Sequence, residues 1–463
     1  MDDMNNARIL KPIWIVYTII LILLYTVFHN SYMSGYLDNA WTLSWAHGWW
    51  TEGNVYDEVF GYLDGDGGSS LFSRSYVFLY GAVATVFGWN QGVALGISSL
   101  LMVAAAYLWY RSLMTLEYRN KLAISFAVVM LLLEIFYGAA HKARVDALGF
   151  FLDSLAFWLF VNKRYLFAGL TLGIAIETHP YAMAGGFWML SYLFSIRKEI
   201  RRKQKIYFQA FLLFLVGLSL GALYWWWLHG EYISGLSELE NRLNSNAWWA
   251  YYFNFSYSWR HWPELLVILA ALAVFLVRKD SRKKDTFVLP FFVSVVLCSL
   301  LVPRGNYHYV VYLYPAAILL ILVASESLNL LPHLLVGILL FQVPQYAWLF
   351  YKQRGYRHTA YISELKDRVP LSDLMVYGHP NSWFALRDRD FHAYGYFSRA
   401  GIPPDHWPDE FLLIENRDFF RLGGASDLVK GTESFEKIPI TQWDTWDGTP
   451  LRIWLMKRRF AGE

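Results

Sequence analysis

The chain is 463 residues long, 56% apolar and only 17% charged, a balance that excludes a disordered polypeptide and fits poorly with an ordinary soluble enzyme. With 40 Lys and Arg against 37 Asp and Glu the net charge is +3, too small an excess to argue for nucleic acid; the single cysteine, Cys298, excludes an intrachain disulfide and a cysteine-rich metal site. Aromatic residues make up 19%, with 22 Trp, a usage suited to membrane-interface belts and to stacking on flat apolar faces such as sugar rings.

A helix needs about 20 mostly apolar residues to cross a bilayer core of about 30 Å. Windows of that kind predict about eleven spans, near 12–28, 92–110, 122–139, 147–161, 165–177, 180–196, 207–228, 262–277, 286–302, 308–324 and 330–350. The first, Pro12 to Phe28, lacks a small-residue cleavage site and reads as a span rather than a removable signal. Threading the spans in order puts the connectors around Arg111, Lys163, Arg197 to Lys205 and Arg278 to Lys284 on the side of Arg8 and Lys11. Before residue 351 that side holds 18 Lys and Arg against six on the other (Arg74, Lys142, Arg144, Arg242, Arg260 and Arg304), so the positive-inside rule makes it cytoplasmic.

One apolar run, Leu71 to Trp89, would alternate the basic loops if it crossed, so it is placed flat on the outer interface; the competing reading is a true span with a partner elsewhere. The first external segment, 29–91, is therefore long. A second, 229–261, is crowded with aromatics including Trp248, Trp249 and Trp259. Residues 1–350 form the membrane module, and 351–463 turn polar, with strand-like runs at Asp373–Tyr377, Phe411–Glu415, Phe435–Ile440 and Leu451–Met456. The expected fold is an all-α polytopic membrane protein with a small extracytoplasmic α/β domain at its C-terminus.

Ionisable residues at the external ends of spans carry the functional information, because a charge there costs several kcal/mol unless it serves a cavity. Asp38 follows the first span and opens a helical pattern; as an isolated aspartate it also fits a helix N-cap. Glu52 lies later in that loop. The run His141-Lys142-Ala143-Arg144-Val145-Asp146 combines cations with a carboxylate, a phosphate-binding fork or a snorkelling pair at the headgroups. Asp153 sits on the same helical face as Asp146 and deeper, where it pairs with a neighbouring helix on the plainer reading. Glu177-Thr178-His179-Pro180 and Pro303-Arg304-Gly305-Asn306-Tyr307-His308 are the remaining external junctions. No Gly-rich phosphate loop, His-Glu-x-x-His helix, Gly-x-Ser-x-Gly elbow or Cys-x-x-Cys pair is present, so the gathered groups suit an anionic ligand whose apolar part lies in the bilayer.

Asp38, the juxtamembrane Val86-Phe87-Gly88-Trp89-Asn90, Ala143-Arg144-Val145-Asp146-Ala147-Leu148, Thr178-His179-Pro180 and the segment from Arg304 to Pro315 together resemble the GT-C superfamily of membrane glycosyltransferases, over residues 8–350. Within it the chain is similar to the bacterial relatives of protein O-mannosyltransferases and to the lipid A aminoarabinose transferase. The chain departs from their pattern at Asn39, where they have a second carboxylate, at Val145, where they have proline, and at His179, where they have lysine.

The resemblance implies an inner-membrane, cell-envelope enzyme that moves a hexose or pentose from a polyprenyl-phosphate donor to a hydroxyl of an extracytoplasmic glycan, glycolipid or protein, with inversion. It makes Asp38 the base and Arg144, Lys142, Arg304 and Arg242 the groups that hold the donor phosphate. Asp146, His179, His308, Glu52 and His141 then orient the cations or contact the sugar, and Trp49, Trp50, Trp248 and Trp249 roof the site or form an interfacial belt. The polyprenyl tail follows a groove between spans. No cofactor and no metal is expected, for want of clustered carboxylates. A polysaccharide polymerase or ligase, and a lipid-linked sugar transporter or flippase, share the span count; the transporter reading also predicts repeat symmetry, which the chain lacks.

Overall fold

The computed structural model describes residues 2–27, 38–53, 59, 73–228, 262–278, 286–301, 311–353, 358–393, 408–415, 435–444 and 450–459. Apolar runs with few internal breakers form the helices α1 (Asp2–Ile22, extended by a π-helical turn over Leu23–Val27), α2 (Asp38–Glu52), α3 (Arg74–Phe87), α4 (Gln91–Thr115), α5 (Asn120–Leu132), α6 (Glu134–Ala140), α7 (Val145–Val161), α8 (Tyr165–Thr178), α9 (Met183–Ser195), α10 (Arg197–Arg202), α11 (Gln204–Leu228), α12 (Trp262–Val277), α13 (Val288–Leu301), α14 (Tyr314–Ser327) and α15 (Leu331–Gln353). Gln91–Thr115, Gln204–Tyr224 and Leu331–Tyr351 are long and apolar enough to cross a bilayer, and the bent pair α5/α6 makes a fourth candidate. The other apolar helices of the bundle are shorter, so the expected number of about eleven full spans is not confirmed.

The window 122–139, read as one straight span, is broken instead. α5 and α6 meet at 65° across an extended Leu133. A break inside apolar surroundings strands the carbonyls of the last turn unless side chains reach them. Here Tyr25 Oη donates to the Leu131 carbonyl at 3.2 Å and Tyr346 Oη to the Leu132 carbonyl at 2.5 Å.

Two glycine pairs set the tightest helix contact. Gly169 and Gly173 of α8 face Gly217 and Gly221 of α11, and a Cβ on Gly173 would lie 2.7 Å from the Gly221 Cα. Small residues four apart let backbones approach where lipid supplies no hydrophobic drive. The bundle centre is aromatic: Trp109 packs its ring against Phe126, Phe157, Trp188 and Phe291 at centroid separations of 5.0–5.7 Å.

The basic connectors collect at one end of the bundle. Arg119 and Lys121 approach Glu326 at 3.7 and 3.5 Å, and Arg278 donates to the Ser327 carbonyl. The opposite end is capped by α2, α3 and the C-terminal domain. There α16 (His358–Arg368) and the short α17 (Trp383–Leu386) accompany a five-stranded sheet of β1 (Val376–Gly378), β2 (Phe391–Ala393), β3 (Glu410–Glu415), β4 (Phe435–Asp444) and β5 (Pro450–Arg458), in the order β2-β1-β3-β5-β4. β1 pairs in parallel with β2 and β3; β5 runs antiparallel to β3 and β4. β4 continues past its expected end at Ile440 through an irregularity between Pro439 and Thr441, which an edge strand accommodates.

The domain does not stand apart. Val376, Trp383, Phe391, Leu412 and Ile453 share one buried cluster with Leu43, Tyr76, Tyr80, Leu95 and Leu148. The His47 ring lies against both Trp89 and Trp383, Arg387 Nη1 donates to the Trp89 carbonyl at 2.8 Å, and the Ala393 amide donates to the Val59 carbonyl at 3.0 Å.

Candidate active site

The turn between α6 and α7 carries the cation-rich run, and three helices hold its backbone. Asn39 Oδ1, near the start of α2, accepts from the Ala143 amide at 2.8 Å. The Ala143 carbonyl accepts from Tyr76 Oη of α3 at 2.9 Å and from Thr42 Oγ1 of α2. Ser98 and Ser99 of α4 donate to the carbonyls of Lys142 and Ala140 at 2.9 and 3.0 Å. Backbone polar groups withdrawn from water must be paired, and the pairing here fixes a loop that would otherwise be free to move. Lys142 is 2% exposed as a result.

Within this frame the charged groups meet. Arg144 Nε donates to Asp146 Oδ2 at 2.7 Å, and Asp146 Oδ1 lies 3.9 Å from His179 Nε2. The Tyr181 amide donates to His179 Nδ1 at 3.2 Å, so in the neutral ring the proton sits on Nε2, towards Asp146. Burial pushes His179 down to about 4, with the Asp146 carboxylate pulling up and Arg144 pushing down. At neutral pH the ring is therefore uncharged, and the positive charge beside Asp146 is that of Arg144. Tyr312 closes the cluster: its ring stacks on His179 at 5.7 Å, and its hydroxyl lies 3.4 Å from the Asp146 carbonyl.

The structure thus brings together the side chains of Arg144, Asp146 and His179, which sequence reasoning drew from two separate segments, and buries Lys142 in the same turn. Asp38 opens α2, one residue before Asn39; its side chain lies outside the described residues, as do Arg242, Arg304, His308, Trp248 and Trp249. His141 points elsewhere: Nδ1 bonds the Tyr137 carbonyl at 2.8 Å and the ring packs between Tyr137 and Tyr25 in the bundle. Glu52 is exposed at the far end of α2, about 21 Å along the helix from Asp38. Trp49 and Trp50 join α2 to α3, through the Phe78 ring at 5.6 Å and the Val77 carbonyl at 3.2 Å. Asp153 is wholly buried against the Gly185 backbone of α9, with no side-chain partner among the described residues.

Two contributors had no role assigned from sequence. Glu177 is a clamp: its carboxylate accepts from the Arg74 amide and Ser75 Oγ at 2.6 Å each, and from the Ser75 amide and Ser73 Oγ at 3.4 Å, so it seats the N-terminus of α3 on the end of α8. Tyr312 sits inside the segment from Arg304 to Pro315, but nothing in its neighbours marks it as the platform beneath His179.

No protein-family model matches the chain, and no curated protein sequence is significantly similar to it. Solved structures are. The ArnT structure from Cupriavidus metallidurans bound to undecaprenyl phosphate superposes with a TM-score of 0.62 at 11% identity, covering 97% of this chain and 98% of that one. The apo form of the same protein gives 0.59 at 11% identity over 95% and 97%. An oligosaccharyltransferase from Archaeoglobus fulgidus, crystallised with zinc and sulfate, gives 0.43 at 10% identity, covering 81% of this chain and 64% of that one. Nearly end to end, the chain shares the fold of ArnT.

Proposed function

We propose that the chain is an integral-membrane glycosyltransferase that moves a sugar from a polyprenyl-phosphate donor to a hydroxyl of an acceptor outside the cytoplasm, with inversion. The observation that carries this reading is the Arg144, Asp146 and His179 cluster, in the same turn as the buried Lys142, at the capped end of a bundle whose fold is that of a protein crystallised with undecaprenyl phosphate. A lipid phosphate puts an anionic head beside these cations, singly charged in the donor diester and doubly charged once the sugar has left, while its tail stays in hydrocarbon.

In this reading Arg144 and Lys142 bind the donor phosphate, with Arg304 and Arg242 as further cations, and Asp146 orients Arg144. Charge grows on the phosphate as the glycosidic bond breaks, so preorganised cations in a water-poor pocket lower the barrier by a few kcal/mol. Neutral His179, fixed by Tyr181 and Tyr312, turns its Nε2 proton towards Asp146, 3.9 Å away. Asp38 takes the proton of the attacking hydroxyl. Its position fits: Asn39 and Thr42 bind the first turn of α2 to Ala143, next to Arg144. The leaving phosphate needs no general acid. The basic end of the bundle faces the cytoplasm, and the site and sheet domain face out.

The test is sugar transfer by purified protein from a synthetic polyprenyl-phosphate sugar to envelope glycans or to water. Asp38→Asn is expected to abolish turnover while donor binding persists; Arg144→Gln is expected to weaken donor binding as well. Turnover undiminished in Asp38→Asn removes that residue as base, and an absence of any binding to polyprenyl phosphate removes the reading.

A further inference from the structure

An apolar slot of about 600 Å³ opens on the side of the bundle between α9 and α11. α8 and the end of α7 form its floor through Tyr165, Leu172 and Phe160, while Leu190 and Leu193 of α9 face Phe211 and Phe214 of α11 across it. α9 and α11 scarcely touch each other, although both pack on α8. The short α10 joins them and shuts one end, where Ile200, Gln204 and Tyr207 complete the lining. Hydrocarbon must fill such a slot, since its walls are almost wholly apolar and a void forfeits dispersion contacts.

The closed end is the polar one, and it is cationic. Lys198, Arg201, Arg202 and Lys205 are exposed there and have no ion-pair partner among the described residues, while Lys203 is paired with Glu199 at 3.3 Å. Lys163 and Arg164 lie exposed at the foot of α8. Tyr165 and Tyr207 bring their hydroxyls into the field of Glu199 at the same level, the usual place of tyrosine at a headgroup. Phe160, in the slot, is near the last turn of α7, whereas Arg144 precedes its first; α7 rises about 24 Å between them. The slot's charged mouth and the Lys142 and Arg144 cluster therefore belong to opposite leaflets.

We infer that this slot is a binding site for an anionic glycerophospholipid of the leaflet on the basic face, its acyl chains between α9 and α11 and its phosphate against Lys198, Arg201 and Arg202. Apolar walls select a lipid chain without regard to headgroup; the unspent cations select negative charge, at about 1 kcal/mol for each Lys or Arg near the surface. The site is separate from the donor phosphate and stands whether or not the transfer reaction does.

The full-length protein in detergent, titrated with phosphatidylglycerol or phosphatidylcholine of matched chains and followed by native mass spectrometry, tests this. Phosphatidylglycerol is expected to be retained preferentially. The triple variant Lys198→Gln, Arg201→Gln, Arg202→Gln should lower that retention by about tenfold or more and leave phosphatidylcholine unchanged. Gly186→Leu, where an added Cβ meets only Leu172 at 3.7 Å, should fill the slot and weaken both lipids without unfolding the protein. Equal retention of the two lipids, or a triple variant that holds phosphatidylglycerol as the parent does, overturns the assignment. So does one-for-one displacement of phosphatidylglycerol by undecaprenyl phosphate, which would give the slot to the donor.

Discussion

Replacing Glu177 by alanine should loosen α3 from the rest of the bundle by an amount the geometry sets. Of its four contacts, the Arg74 amide and Ser75 Oγ at 2.6 Å are the strong ones, and the two at 3.4 Å add little. A hydrogen bond to a carboxylate contributes about 1.5–3 kcal/mol, and a negative charge at a helix N-terminus about 0.3–1. Ser75 Oγ can turn to Tyr224 Oη, already 3.4 Å away, and Ser73 still caps the Tyr76 amide at 3.0 Å. The Arg74 amide loses its strong acceptor and the Ser75 amide its weak one, for a net loss of about 3 kcal/mol. Amide exchange over residues 74–77 should then quicken by roughly 100-fold. Glu177→Gln keeps one acceptor oxygen and should give only about a tenfold change. Because Tyr76 of the same helix holds the Ala143 carbonyl, sugar transfer should fall with the exchange protection. Unchanged exchange at Arg74 and Ser75, or equal acceleration by Gln and Ala, refutes the clamp.

Asp146→Ala leaves the largely buried Arg144 without that carboxylate and should cost about 3–5 kcal/mol in thermal unfolding, much of which the double change Arg144→Met, Asp146→Leu restores; strictly additive effects would show that the two side chains are not coupled. Acid should destabilise the fold through His179. Its ring stays neutral in the folded protein down to about 4, whereas the unfolded chain takes up a proton near 6.5, so stability is full above pH 6.5 and declines by about 3 kcal/mol as pH falls to 4. His358, also pushed down to about 4 by burial, adds a similar slope, so His179→Gln should remove about half of the combined loss, and an unaltered pH profile would refute the burial argument. Gly173→Leu drives a side chain into the Gly221 backbone and should prevent a monodisperse peak in size-exclusion chromatography, while Gly337→Leu, with nothing within 4 Å of the added Cβ, should elute as the parent; the same elution from both removes the glycine contact as a determinant.

Composition and charge made the membrane class legible, and the contacts of Arg119, Lys121 and Arg278 with the end of α14 agree with basic connectors that share one end. The run from His141 to Asp146 stood out in the sequence because Lys, Arg and Asp rarely gather at the end of an apolar helix, and the structure places Arg144 and Asp146 in contact. What the sequence concealed depends on partners distant along the chain. The kink at Leu133 is stabilised by hydroxyls of Tyr25 and Tyr346, more than 100 and 200 residues away. Asn39 looked like a missing second carboxylate or a helix cap; it proves to be an acceptor for the Ala143 amide, 104 positions on. His179, weighed as a weak cation, is kept neutral by burial that no local pattern reveals. The parallel strand Phe391–Ala393 was too short, at three residues, to register as a pattern.

The interior that Trp383, Leu412 and Ile453 share with Leu43, Tyr76 and Tyr80 bears on how the molecule is put together in time. During synthesis Leu43, Tyr76 and Tyr80 emerge about 300 residues before the strands that shield them, so their apolar surface stays uncovered until the final fifth of the chain arrives. Truncated or grafted versions ending near residue 351 would leave that surface permanently uncovered. Such a protein should be cleared or aggregate rather than persist as a working minimal enzyme, and the sheet expressed alone should be equally unsound.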